Sequence, residues 1–155
     1  MKRRLFFLSV VVLFAHCRKT SLFTEINANF KNLKDVYVPE FLGQVQSVSS
    51  NTELDLGAKE ALTGHYGVAL SLDVWEFTTE EACKNSYETL YAIEKEKNPR
   101  EYDQTKNKEY RFQYVRETGV VGELFTVKKI LFRFLAEDRK KINDYLVQSH
   151  LAQIR

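Results

Sequence analysis

Residues 65–97 read HYGVALSLDVWEFTTEEACKNSYETLYAIEKEK, and the change of period inside this stretch sets the fold class. From Tyr66 to Val74, apolar residues (Tyr66, Val68, Leu70, Leu72, Val74) alternate with Gly67, Ala69, Ser71 and Asp73. A period of two puts each set on its own side of a strand, with one side turned to a core. The pattern ends in Trp75-Glu76-Phe77, and the period then lengthens. Thr78 is placed to cap the first amides of a helix, with Glu81 returning the bond as in a capping box. On a helical wheel Ala82, Cys83, Ser86, Tyr87, Leu90 and Ile93 share one side, and Glu81, Lys84, Glu88 and Lys95 the other. Asn98-Pro99 stops the helix, because proline pushes the residue before it out of helical geometry.

Toward the C-terminus, Lys95 to Glu109 is charged with mixed signs and reads as an exposed loop. Tyr110, Phe112 and Tyr114 then alternate along a strand, Gly119 and Gly122 bracket a turn, and Leu124 to Leu135 reads as one long strand. Phe125, Val127, Leu131 and Leu135 oppose Ile130, Phe132 and Phe134, so both of its sides need cover. Asp138 caps a last helix expected over Arg139 to Gln153. Toward the N-terminus, Ser47 to Thr52 is a loop by composition, and Ala58 to Leu62 fits a helical turn or a strand equally well. Phe30 to Val48, broken at Pro39 and Gly43, holds one or two short strands. The core order is strand, helix, hairpin, helix. That order predicts an α+β fold, an antiparallel sheet with helices packed on one face.

The first residues carry a different message. Lys2, Arg3 and Arg4 precede an apolar run from Leu5 to Ala15, the charged and apolar regions of a secretory signal. A permanent spanning helix needs about 20 apolar residues, and this run is shorter. Leu13-Phe14-Ala15-His16-Cys17 resembles the lipobox of bacterial lipoproteins. The resemblance implies that Cys17 takes a diacylglyceryl group, that the signal is cut before it, and that the new N-terminus is acylated. Leu13 matches the preferred leucine, whereas His16 stands where Gly, Ala or Ser is usual; spirochaete lipoproteins are looser at that place. The resemblance ends at Cys17. It implies a signal peptide over 1–16 and a lipidated N-terminus at Cys17; by composition and period, 17–28 reads as the lipidated N-terminus and its polar tether, and 29–155 as one α+β domain. The location implied is the cell envelope, lipid-anchored at the outer membrane, with a soluble periplasmic or secreted protein as the alternative.

Without Lys2, Arg3 and Arg4, the formal charge falls from +2 to about −1, and no basic stripe is left to suggest nucleic-acid binding. With Cys17 modified, Cys83 is the one remaining thiol, which excludes an intramolecular disulfide. Cys83 falls on the helix's apolar side, where burial makes a thiol inert. His65 and His150 have no ligand-spaced neighbour, so neither a metal nor a cofactor is implied. The acidic pairs Glu80-Glu81 and Glu137-Asp138 sit at helix starts and suit the macrodipole. Trp75 and Phe77 lie on the strand face opposite Leu70 and Leu72. Uncovered, they form a binding face; covered by the N-terminal segment, a second layer of core. Two function classes follow. One is a non-enzymatic binding or assembly module, held by membrane lipid through Cys17 and meeting an envelope protein. The other is a small periplasmic or surface enzyme with a site assembled near His65.

Overall fold

The apolar strands pair into hairpins that meet edge to edge, and the remaining elements cover them. The computed structural model describes residues 23–26, 30–97, 100–103 and 110–154. In chain order these give β1 (Phe23–Ile26), a 3-10 turn (Leu33–Val36), β2 (Glu40–Phe41), β3 (Gln44–Val45), β4 (Ser47–Ser50), β5 (Glu60–Tyr66) and β6 (Leu70–Glu76). There follow α1 (Glu80–Lys97), β7 (Arg100–Asp103), β8 (Arg111–Val115), β9 (Val121–Val127), β10 (Ile130–Ala136), α2 (Arg139–Gln148) and β11 (Ala152–Ile154). Seven strands form an antiparallel sheet in the order β4-β5-β6-β10-β9-β8-β7. β1 pairs with β11, and β2 with β3, as two small antiparallel sheets. The α+β class and the antiparallel sheet are as expected.

Two expected single strands are hairpins instead. The alternation from Tyr66 to Val74 passes through the turn Gly67-Val68-Ala69 between β5 and β6, closed by Ala69 N–H on the Tyr66 carbonyl at 3.1 Å. Val68 and Ala69 keep the apolar rhythm, so the turn is invisible to periodicity; Gly67, at φ 55°, was its one signal. Leu124 to Leu135 likewise bends at Lys128-Lys129, where Lys128 takes φ 54° without a glycine or asparagine to announce it. Gly122, expected beside a turn, lies within β9. The Tyr114 ring occupies the space that a Cβ there would need.

Other boundaries move for local reasons. Ser47–Ser50, expected as loop, is the edge strand β4, where polar residues suit a strand that is mostly exposed. Ala58 to Leu62, left open between turn and strand, enters β5 at Glu60. The stretch expected as a charged loop carries the end of α1 and then β7; its residues 98–99 and 104–109 lie outside the described set. Thr79, not Thr78, caps α1, its hydroxyl accepting from Ala82 N–H at 3.0 Å. Asp138 caps α2 as expected, accepting from Lys141 N–H at 3.0 Å. The helix stops at Gln148, five residues early, and the chain turns at His150 (φ 57°) to form β11. β11 pairs with β1, so part of the expected tether belongs to the folded unit.

The two helices lie on opposite faces of the sheet, not on one. Leu72, Val74, Phe125, Phe132 and Phe134 share a core with Ile142, Tyr145 and Leu146 of α2. Trp75, Leu124, Leu131 and Phe112 share another with Cys83, Tyr87 and Leu90 of α1. The physical reason is in the central strands. β6, β9 and β10 bury side chains on both sides, and each side needs a cover. At about 1.5–3 kcal/mol for each large apolar side chain buried, leaving either side to water would be prohibitive.

Tyrosines fasten the segment around the 3-10 turn to the α2 face. The Tyr37 hydroxyl sits 3.0 Å from the Leu62 carbonyl and 3.2 Å from that of Leu72, its ring lying across Gly64. Tyr145 donates to the Val36 carbonyl at 3.0 Å and accepts from Val38 N–H at 3.3 Å. Tyr66 donates to the Val38 carbonyl at 2.7 Å, and the Tyr66 and Tyr145 oxygens are 2.9 Å apart.

Candidate functional site

Trp75 and Phe77 do not form an exposed binding face: their relative exposures are 0 % and 2 %. The second-layer reading holds, with a different cover from the one expected. Helix α1 supplies part of it. The rest comes from the loop 51–59, whose Leu54, Leu56 and Ala58 pack on the same core.

That loop is fastened at both ends and in the middle. Asn51 N–H donates to the Ala61 carbonyl at 2.9 Å, and Lys59 N–H to the Glu76 carbonyl at 2.8 Å. The Asn51 amide reaches Asp73 Oδ1 at 3.2 Å, and the Ser86 hydroxyl of α1 reaches the Leu56 carbonyl at 3.1 Å. Within the loop, Asp55 Oδ1 accepts from Gly57 N–H at 2.9 Å, an Asx-type turn. Between this wall and the β5 edge lies a groove of about 470 Å³, lined among others by Asn51, Leu54, Asp55, Lys59, Ala61 and Trp75. Its size falls in the range of small-molecule sites, and its lining sets Leu54, Leu56 and Ala61 beside Asp55, Lys59 and Glu60. Such a surface can hold a ligand with an apolar body and polar ends.

Beneath the groove runs an ionic chain that sequence reasoning missed. Asp73, only 3 % exposed, receives Arg133 Nε at 2.8 Å, Thr63 Oγ1 at 2.6 Å and the Asn51 amide. Arg133 also reaches Glu94 of α1 at 3.1 Å, and Glu94 takes Arg116 at 2.9 Å. The Arg133 guanidinium stands 5.6 Å from the Trp75 ring centroid, within cation–π range. The carboxylates hold the Arg133 charge firmly, raising its already high pKa against the cost of burial. A third buried carboxylate, Glu123, sits on the other face with Arg111, with Arg139 at 3.1 Å and with the Gln113 amide at 3.2 Å. One signal was present in the sequence: Asp73 and Arg133 interrupt strands that are apolar on both sides. Each of these carboxylates is bound to donors of its own fold.

The remaining candidates fall apart in space. Cys83 is fully buried one turn into α1, and burial pushes its thiol up to about 12, so it is the inert thiol expected. His65 is exposed near the turn end of β5, opposite Ser47 and Ser71, whereas α1 leaves the far end of β6. His150 is exposed just after α2, so the sheet stands between it and Cys83. Glu80 and Glu81 open α1, and Glu137 and Asp138 flank the start of α2; Lys141 pairs with Glu137. Among the described residues no three His, Cys, Asp or Glu gather as metal ligands, and no helix is long and apolar enough to cross a membrane. Cys17 lies outside the described residues. No protein-family model, curated protein or solved structure matches the chain.

Proposed function

We propose that this chain is a lipoprotein of the bacterial envelope, lipidated at Cys17, whose α+β domain serves as a non-enzymatic binding or assembly module at the membrane surface. The observation that carries the reading is the N-terminal sequence: three cations, an apolar run too short to span, and a cysteine closing it in lipobox fashion. Acylation at several positions on one residue supports lasting attachment, since each buried methylene contributes about 0.8 kcal/mol. The groove beside the 51–59 loop, whose lining is mixed apolar and charged, supports a binding role. Its buried carboxylates Asp73, Glu94 and Glu123 are engaged by arginines of the fold, which fits a scaffold.

The test is metabolic labelling with an alkyne fatty acid, with membrane fractionation of the wild type and Cys17→Ser. The wild type is expected to carry label and stay with membranes through a salt wash, and the variant to lose both. A variant that remains membrane-bound, or an unlabelled wild type, overturns the anchor. For the binding role, a photo-crosslinker at Lys59 should give one discrete adduct in intact cells, competed by nothing placed at Lys129. Equal, diffuse adducts from both positions would remove the groove from consideration.

A further inference from the structure

The described residues expose three large apolar side chains: Val68 at 89 %, Val45 at 75 % and Leu42 at 54 %. They come from two separate hairpins, β2–β3 and β5–β6, and the fold brings these hairpins together. Gln44 of the first lies so close to Gly67 of the second that a Cβ on Gly67 would come within 2.7 Å of Gln44 Oε1. The backbone at this tip is unusual too, with Leu42, Gly43 and Gly67 all at positive φ. A loop tip ordinarily carries polar residues, and here each turn presents an aliphatic one to water.

The end of α2, and through β11 the last residue of β1, lie toward this tip. Gln148, the last residue of α2, donates to the Glu40 carbonyl at 2.8 Å, which ties the end of that helix to the β2–β3 hairpin. After three intervening residues β11 begins, pairing Ala152 with Ile26, the last residue of β1, and Ile154 with Phe23, its first. Six residue steps separate Cys17 from Phe23, a covalent reach of no more than about 20 Å. An anchor on so short a lead holds the β1 end of the domain against the surface to which it is fixed.

We infer that this end faces the membrane, and that Leu42, Val45 and Val68 enter the lipid interface as a second contact beside the anchor; the inference rests on lipidation at Cys17. The occupant of the apolar tip is thus the bilayer that the chain is already attached to. The acyl chains supply the attachment, and the tip adds a contact that fixes the domain's orientation on the surface. The opposite end of the sheet, at Lys128-Lys129, is charged and points away.

The experiment compares Val68→Cys with Lys129→Cys, each in the full lipidated chain carrying a polarity-sensitive dye. Cys83 stays unlabelled because it is buried. Purified proteins are reconstituted in protein-free vesicles of phosphatidylethanolamine and phosphatidylglycerol that contain a headgroup-level spin-labelled lipid quencher. The dye at position 68 is expected to shift to the blue and lose at least half its emission to the quencher, with the dye at 129 unchanged. Both dyes remaining in water on protein that floats with the vesicles overturns the inference and leaves the anchor standing. Protein that carries no acyl chain and does not float overturns both. A blue shift seen only on native envelopes and absent from protein-free vesicles also overturns it, in favour of a protein partner.

Discussion

The two faces of the sheet bury nearly the same kinds of side chain and satisfy them differently. On the α2 face, Tyr37, Tyr66 and Tyr145 are fully or nearly buried, and each hydroxyl is bonded to backbone of the N-terminal segment or the strands. On the α1 face, Trp75 Nε1 and the Tyr87 hydroxyl are buried without a hydrogen-bond partner. There the polar linkage between helix and sheet is ionic, through Asp73, Arg133 and Glu94. The difference teaches that the α2-face tyrosines act as ties, because that face is covered partly by irregular chain whose carbonyls need donors. On the α1 face the irregular cover is the loop 51–59, which strand backbone, Asp73 and Ser86 already tie down, so the Tyr87 hydroxyl and Trp75 Nε1 have no such bond to make.

Alkali should give the largest effect, and it should strike both faces alike. Burial raises the pKa of Tyr37, Tyr66 and Tyr145 on one face, and of Tyr87, Tyr114 and Cys83 on the other. The stability held by these neutral groups is complete below the unfolded values, near pH 9 to 10. It falls as pH rises, because the unfolded chain ionises first, by up to about 1.4 kcal/mol per pH unit for each group. Urea midpoints measured at rising pH should therefore drop steeply above about pH 10. A flat profile would mean the phenols are not buried as described.

Arg133→Leu should separate the faces. It leaves Asp73 with only neutral donors and should cost about 3–5 kcal/mol in urea unfolding. Arg111→Leu should cost less, since Glu123 keeps Arg139 and Gln113. Equal losses would erase the distinction between a bridging arginine and a shared carboxylate.

Next in size is Tyr145→Phe, which takes a donor from the Val36 carbonyl and an acceptor from Val38 N–H. A cost of about 1–3 kcal/mol is expected from thermal or urea unfolding. Tyr87→Phe should be the smallest change, within about 0.5 kcal/mol of wild type or slightly stabilising, because it removes a buried hydroxyl with nothing to bond. If Tyr87→Phe proves as costly as Tyr145→Phe, the contrast between bonded and unbonded hydroxyls is wrong.

Legibility in the sequence followed the range of the forces involved. The apolar side of α1 and the cap at Asp138 were readable, because both depend on residues within a turn of one another. The turns at Gly67-Val68-Ala69 and Lys128-Lys129 were not, since neither breaks the apolar rhythm that marks a strand. β4 was hidden by its serines, which an exposed edge tolerates and a loop also favours. The groove and the ionic chain were beyond reach for another reason: each joins residues far apart along the chain, as in Asp73, Glu94 and Arg133.

By itself the sequence determined the α+β class, the helical periods, the burial of Cys83 and the N-terminal pattern ending at Cys17. These rest on local periodicity and covalent order, which survive without any knowledge of the fold. Only the tertiary structure decided that the helices part to opposite faces and that Trp75 lies under the 51–59 loop. It alone decided that Leu42, Val45 and Val68 meet at one tip. Those outcomes depend on which strand ends become neighbours, and strand pairing is set by the cooperative burial of two faces at once, a property of the whole sheet.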